Sequence, residues 1–311
     1  MKTVLITGIG GDIAQSVATI VKESFPDWQI IGSDIHEQHA GRLFADDFVI
    51  APRADDAEFI NWLSGTMSDR DIDLCIPLSE AELSRLGRLP GDQVDMSKMV
   101  IAGAQALAVG ADKLSTQKFL QQTGIPGPWT LESLTELTEG HLPCIIKPNV
   151  GSGSKGVHIC NTLDEARALA GIVPAPVFQE LLLPHDREIT CAVFRSSAGE
   201  TTVLPLLRIL TGGFTGWAKV IENDQITEQC QLIANELDIL GSINIQLRLT
   251  SEGPRIFEIN PRFSSTSLIR HRLGFEDVVW SIKDRLGLPF DVHLPKEGAI
   301  GVRVQSAARL N

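Results

Sequence analysis

The 311-residue chain contains no tyrosine, so no phenol is available as an acid, a base or a ligand at any site. It also lacks any apolar run approaching the ~18 residues that a membrane span needs, which argues against a membrane partner. Basic residues are in deficit: 27 Lys+Arg stand against 39 Asp+Glu, a net charge of −12. Such a chain is repelled by phosphate polyanions, which argues against non-specific binding to nucleic acid or to anionic lipid. Cysteine is sparse. Cys75, Cys144, Cys160, Cys191 and Cys230 are odd in number, far apart and set in apolar stretches. They form neither a disulfide frame nor a zinc cluster and read as free thiols of a reducing, cytoplasmic compartment. The N-terminus reaches Gly8 too early to resemble a secretory leader.

Enough remains for two globular units at roughly 150 residues each, with 43% hydrophobic residues to fill their cores. Residues 3–7, 29–33, 48–50, 73–76 and 99–102 have strand character. Residues 13–22, 57–67 and 80–88 carry apolar positions at helical spacing. This alternation predicts an α/β domain with a parallel sheet over residues 1–110. A helix over 113–123 follows, capped by Asp112 and stopped by Gly124-Ile125-Pro126. Beyond it, paired strands dominate: 143–147 with 156–160, then 177–181, 188–194, 202–210, 218–222, 241–249 and 255–259. A helix over 225–237, helical stretches at 268–273 and 276–286, and a last strand near 300–304 complete an α+β half, 111–311, with antiparallel sheet.

Three segments carry chemistry. Gly8-Ile9-Gly10-Gly11-Asp12 follows a strand and opens a helix, and Asp34 ends the next strand. Glycines that admit a pyrophosphate, with an acid for a ribose, suit a Rossmann-like dinucleotide site; the same glycines also make a plain tight turn. The second segment, residues 143–157, runs from Lys147 through Gly151, Ser152, Gly153, Ser154, Lys155 and Gly156 into another strand. Its amides and ammonium groups can face polyphosphate oxygens, although no Gly-Lys-Ser/Thr opens a helix as in a P-loop, and Gly and Ser are equally ordinary turn residues. The third is Glu258-Ile259-Asn260-Pro261-Arg262, where Glu258 and Asn260 leave one face of a strand. If strand 241–249 pairs with it, Gln246 joins that face. A carboxylate with amide oxygens suits Mg²⁺, and Mn²⁺ is a second hard cation the set would accept.

In their order along the chain, these segments resemble the ATP-grasp superfamily, within it the group similar to carbamoyl-phosphate synthetase large-chain and biotin carboxylase domains. Asp112-Lys113, Gly124-Ile125-Pro126, Ile146-Lys147-Pro148, the glycine loop, Gln179-Glu180-Leu181-Leu182 with Glu188, and Glu258 to Arg262 carry the likeness. It implies a pre-ATP-grasp domain over 1–110 and an ATP-grasp domain over 111–311, with a lid lobe at about 124–180 and a C-terminal lobe at about 181–311. It further implies that Lys113 and Lys147 hold ATP phosphates, covered by Ser152, Gly153, Ser154, Lys155 and Gly156. Gln179, Glu180, Leu181 and Leu182 would line the adenine pocket, and Glu188 would meet the ribose. Gln246, Glu258 and Asn260 would surround Mg²⁺, with Arg262 and Lys147 acting on the transferred phosphoryl group. The implied activity is ligation of a small-molecule carboxylate to an amine or ammonia through an acyl phosphate, releasing ADP and phosphate. The chain would be a stand-alone ligase, with a homodimer as the form relatives often take.

The sequence departs from the pattern after Arg262, where Phe263-Ser264-Ser265-Thr266-Ser267 replaces the glycine pair often found in the family. Ser264 and Ser265 are candidate substrate contacts, as are Arg208 and Lys219 around residues 210–219, which read equally as a loop bordering the acceptor pocket and as a plain hairpin. Glu82 is a candidate for an amine. Glu80 shares that possibility and, with Glu82, is equally an ordinary first-turn helix acid. Arg270, His271 and Arg272 form a basic cluster, either a solvated face or a further anion contact. Two alternatives stay open: an NAD(P)-dependent sugar-nucleotide oxidoreductase or epimerase, disfavoured because that class uses the missing tyrosine, and a non-catalytic nucleotide-binding regulator.

Overall fold

The computed structural model describes residues 1–311 apart from 90–92, 152, 154, 306, 310 and 311. Its three sheets follow one another along the chain. In the first, β1 (Thr3–Thr7), β2 (Gln29–Asp34), β3 (Asp47–Ile50) and β4 (Leu74–Ile76) pair in parallel in the order β3-β2-β1-β4. Helices α1 (Asp12–Ser24) and α2 (Phe59–Asp69) lie within these crossovers, and α3 (Glu80–Leu86) follows β4. Val4, Leu5 and Ile6 are wholly buried, as expected for a strand covered on both faces. The strand expected at 99–102 reduces to one parallel bridge between Met99 and Cys75. Two helices then bridge to the second sheet, α4 (Ala104–Val109) and α5 (Lys113–Thr123). The Asp112 carboxylate accepts from the Ser115 amide at 2.8 Å and fixes the start of α5.

The second sheet is small and antiparallel. It contains β5 (Thr130–Leu131), β6 (Cys144–Pro148), β7 (His158–Cys160) and β8 (Pro176–Glu180) in the order β5-β8-β6-β7, with α6 (Leu163–Ala170) packed on it. The third sheet contains β9 (Glu188–Arg195), β10 (Thr201–Thr211) and β11 (Phe214–Val220). After α7 (Asp224–Glu236) come β12 (Gly241–Thr250) and β13 (Gly253–Asn260), then α8 (Ser267–Arg272), α9 (Asp277–Arg285) and β14 (Ile300–Val302). Its antiparallel order is β13-β12-β9-β10-β11-β14. Of the two readings of 210–219, the hairpin is the one observed: β10 runs to Thr211, Gly212-Gly213 turns, and β11 begins at Phe214.

One face of the third sheet packs on α5 and α7 through Phe119, Leu120, Ile226 and Ile233, and the other receives Ile269 and Trp280. Helix α9 serves two cores at once. Trp280 points to the sheet, while Val278, Val279 and Ile282 join Ile6, Val17 and Val21 of the N-terminal layer. All five cysteines are buried free thiols. Among the described residues, no helix is long and apolar enough to cross a membrane.

In the basic cluster on α8, Arg272 is exposed, as a solvated face requires, while Arg270 departs from both readings of the sequence. Arg270 is 0% exposed. Its Nε and Nη2 donate to Asp277 at 2.7 and 2.5 Å, and its Nη1 donates to Ser264 Oγ and Thr266 Oγ1 at 2.9 and 3.0 Å. Burial of a guanidinium is tolerated because four acceptors replace its water. The pair therefore fastens the serine loop after Arg262 and is neither a solvated face nor an anion site. Arg272 is held by Glu23 at 2.5 Å.

Candidate active site

A cavity of about 430 Å³ opens between the second and third sheets. Lys147 enters it from β6 and is 7% exposed. Its Nζ donates to Gln179 Oε1 on β8 at 2.7 Å and lies 5.9 Å from the centre of the Phe257 ring. Burial pushes this ammonium down to about 8; the Glu258 carboxylate opposes the shift and Lys113 adds to it. Lys113, the first residue of α5, is likewise lowered by burial against the raising fields of Glu258, Glu80 and Asp112. Its Nζ donates to the carbonyls of Asn149 and Gly151 at 3.2 and 3.1 Å. The Asn149 side-chain oxygen accepts from the Lys113 and Leu114 amides, so the glycine loop is tied to the α5 N-terminus. Two neighbouring cations lowered in this way are poised to gain from an anion between them.

The acidic side comes from β12 and β13. Gln246 lies opposite Glu258 and Asn244 opposite Asn260, the shared face that residues two apart on a strand require. Mg²⁺ is the ion implied for this site. Glu258 and Asn260 fit it: both line the cavity, and neither the Glu258 carboxylate nor the Asn260 side-chain oxygen has an internal donor among the described residues. Gln246 fits less well, because its Oε1 already accepts from Arg208 Nη2 at 2.8 Å.

Glu188 and Arg208 both line the cavity but hold each other. Arg208 donates to Glu188 Oε1 at 3.0 and 2.6 Å, and Arg248 donates to Oε2 at 2.6 Å. Arg208 thus belongs to a clamp on Glu188. Arg248 is a site residue that the sequence reading missed; its signal was its position two residues after Gln246 on the same strand. Glu180, Leu181 and Leu182 line the cavity beside Gln179, and the Glu180 carboxylate is engaged by Arg255 at 2.8 Å and by the Trp129 amide at 3.2 Å. Gly153 and Lys155 lie on the wall. Gly156 packs beside Pro148. Ser152 and Ser154 lie outside the described residues.

Arg262 lines this cavity and a second one of about 550 Å³. Its Nη2 donates to Glu80 Oε1 of α3 at 2.5 Å, and its Nη1 to the Phe263 carbonyl at 2.9 Å. The two cavities share Lys113, Gly151, Glu258, Asn260 and Arg262. Gly110 permits this meeting, because a Cβ there would stand 2.4 Å from Pro261 Cδ and 2.8 Å from the Ile259 carbonyl. Ser264 and Ser265 also line the first cavity.

Two proposed contacts lie elsewhere. Lys219 sits on β11 between Leu207 and Ile300 and is on neither cavity wall. Glu82 is buried in the N-terminal layer, where it accepts from Thr7 Oγ1 at 2.5 Å and from the Ser79 amide at 3.3 Å. Burial pushes its carboxyl up to about 7, with those hydrogen bonds pulling down and Asp34 pushing up. It closes a capping box on α3 and offers nothing to a substrate.

The N-terminal glycine turn is filled by its own side chains. Asp34 Oδ2 accepts from the Gly10 amide at 2.8 Å, and a Cβ on Gly10 would meet the His39 ring at 2.6 Å. At the start of α1, Asp12 is ion-paired to Arg303. Carboxylates therefore occupy both ends of the place a pyrophosphate would take.

Comparison with known proteins agrees with this geometry. Residues 110–266 match the family model described as the ATP-grasp domain, and residues 4–100 match the PylC-like N-terminal domain. The carbamoyl phosphate synthase large chain of Methanocorpusculum labreanum is 26% identical over 234 residues, which is 68% of this chain but only 22% of that one. A D-alanine--D-alanine ligase of Fusobacterium nucleatum is 28% identical over 199 residues, 57% of this chain and 68% of the relative. The ADP complex of an N5-carboxyaminoimidazole ribonucleotide synthetase superposes with a TM-score of 0.78 at 22% identity, over 95% of this chain and 80% of the other. The family model covers half of the chain, and the layered fold, a parallel sheet followed by a small and a large antiparallel sheet, accords with it: the chain belongs to the ATP-grasp family.

Proposed function

We propose that the chain is an ATP- and Mg²⁺-dependent ligase that joins a carboxylate to an amine or ammonia through an acyl phosphate, releasing ADP and phosphate. The observation that carries this reading is the convergence of Lys113 from α5, Lys147 from β6, and Glu258, Asn260 and Arg262 from β13 and the turn after it on the first cavity, all but Lys147 also lining the second. The nucleotide belongs in the first, under the glycine loop, with Gln179 to Leu182 along its base side. The carboxylate and the amine belong in the second, beyond Glu258. In the domain terms proposed from the sequence, the first cavity lies between lid lobe 124–180 and C-terminal lobe 181–311, and the second adjoins domain 1–110.

The chemistry follows from charge. A carboxylate attacking the γ-phosphate brings anions together, so catalysis is mostly positioning and neutralisation. Lys147 and Lys113 would hold phosphate oxygens, and Arg262 would leave Glu80 to meet the incoming acid and the transferred group. Bound Mg²⁺, held by Glu258 and Asn260, supplies positive charge to the phosphate oxygens. The acyl phosphate hydrolyses readily, so the glycine loop serves by excluding water until the amine attacks the acyl carbon and phosphate leaves. No side-chain nucleophile is needed.

The oxidoreductase alternative loses its site to the internal partners of Asp34, His39 and Asp12. A regulator that binds nucleotide without turning it over differs from the ligase in one measurable respect. ADP formation from ATP and Mg²⁺, screened across carboxylates and amines, should require one acid and rise with one amine. Nucleotide binding with no ADP from any pair would favour the regulator.

A further inference from the structure

The second cavity has a wall that the ligase reading leaves unused. Its far side is α3 and the turn after it, and there Arg85 and Arg88 line the space with exposed side chains. Their three-residue spacing puts both on one side of the segment. Other arginines nearby are committed, Arg53 to Asp55, Arg70 to Asp47 and Arg262 to Glu80. The guanidinium groups of Arg85 and Arg88 have no hydrogen-bond or ion-pair partner among the described residues. Of the acids on the same wall, Asp55 is held by Arg53, Glu80 by Arg262 and Asp112 by Ser115, which leaves the two guanidinium groups of α3 and its turn facing the chamber without a partner among the described residues.

We propose that Arg85 and Arg88 hold an oxyanion, a phosphate or a carboxylate, borne by the substrate at the end remote from its reacting group. This rests on the ligase reading, which puts the reacting group beside Arg262 and Glu80. Glu80 and Arg85 both belong to α3, five residues apart, so their backbones are separated by about 8 Å along the axis. The substrate is therefore a small molecule with two polar ends, its anionic end several bonds from the carboxylate or amine that reacts. Planar guanidinium forks grip either oxyanion with paired hydrogen bonds, and a neutral tail would leave both without a partner.

The test uses inorganic phosphate and succinate as probes at low ionic strength, where exposed charges are least screened. The full chain is first saturated with the β,γ-imido analogue of ATP and Mg²⁺, so that the nucleotide cleft cannot take the anion. At least one probe should then bind the parent chain, and the Arg85→Glu/Arg88→Glu variant should bind it at least tenfold more weakly. The milder Arg85→Ala/Arg88→Ala pair should fall between, and Arg167→Glu on α6 should match the parent. Whichever probe responds identifies the group as phosphate or carboxylate. Equal binding by parent and double variant, or no binding of either probe to the parent, overturns the assignment. The ligase reading is scored apart from this, by ADP formation in the screen of acids and amines, and the anion titrations are repeated without nucleotide so that the arginines are judged either way.

Discussion

Two glycine-rich loops of this chain invite the same reading and differ in what surrounds them. The turn at Gly8 to Asp12 follows a parallel strand and opens a helix, yet its Gly10 amide is spent on Asp34, its helix start carries the Asp12–Arg303 pair, and His39 packs over it. The loop after Lys147 opens no helix, yet it borders a cavity whose lysines and arginines, Lys113, Lys147, Lys155, Arg208, Arg248 and Arg262, outnumber its acids, Glu180, Glu188 and Glu258. Glycine spacing reports where backbone can approach closely; the sign of the charges that the fold delivers decides whether a polyphosphate follows.

The largest expected effect is at the acid of the second loop's cavity. Glu258→Gln should lower ADP formation at least a hundredfold while leaving the thermal unfolding midpoint within a few degrees, since the carboxylate has no internal donor to lose. Near-normal turnover would remove Glu258 from the chemistry. Next, Lys147→Ala should raise the nucleotide dissociation constant roughly thirtyfold, because a charge-assisted contact to phosphate is lost. In the parent, nucleotide affinity should weaken as pH rises through about 8, where the buried ammonium begins to lose its proton. Affinity independent of pH from 7 to 9 would contradict that role.

A smaller effect belongs to the N-terminal layer. The Glu82 carboxyl is raised on folding, so its contribution to stability is full below the unfolded value near 4.5 and lost as pH rises through about 7. Glu82→Gln should therefore leave stability at pH 5 almost unchanged and raise it at pH 8 by on the order of 2 kcal/mol, read by denaturant unfolding at both values. A loss at pH 8 would mean that the ionised carboxylate is the favoured form. The smallest effect is expected at the first turn itself. Asp34→Asn should change ATP-analogue affinity less than twofold and create no detectable NADH binding. A tenfold change would restore the turn as a nucleotide site.

Much of this arrangement was legible in the sequence because strands and caps are local. The α5 bounds follow from Asp112 and Gly124, and the shared face of Gln246, Glu258 and Asn260 follows from a period of two. The misses are non-local or turn-dependent. The Gly212-Gly213 pair left loop and hairpin equally open, and both residues at positive φ make the tight turn of a hairpin. Helix α6 was overlooked despite a cap signal, Thr162 accepting from the Glu165 amide at 3.2 Å. Helix α4, six residues between Gly103 and Gly110, is too short to show a periodic face. The clamp of Arg208 and Arg248 on Glu188, the Arg262–Glu80 contact and the burial of Arg270 join residues distant in sequence or turned inward by packing, and no spacing rule reveals them.

The decisive measurement is a crystal structure with the β,γ-imido analogue of ATP and Mg²⁺. The terminal phosphate should lie between Lys147 and the Glu258–Asn260 pair, with the base beside Gln179 to Leu182. A nucleotide seated at the Gly8–Asp12 turn, or bound with Lys147, Glu258 and Asn260 away from its phosphates, would contradict the account.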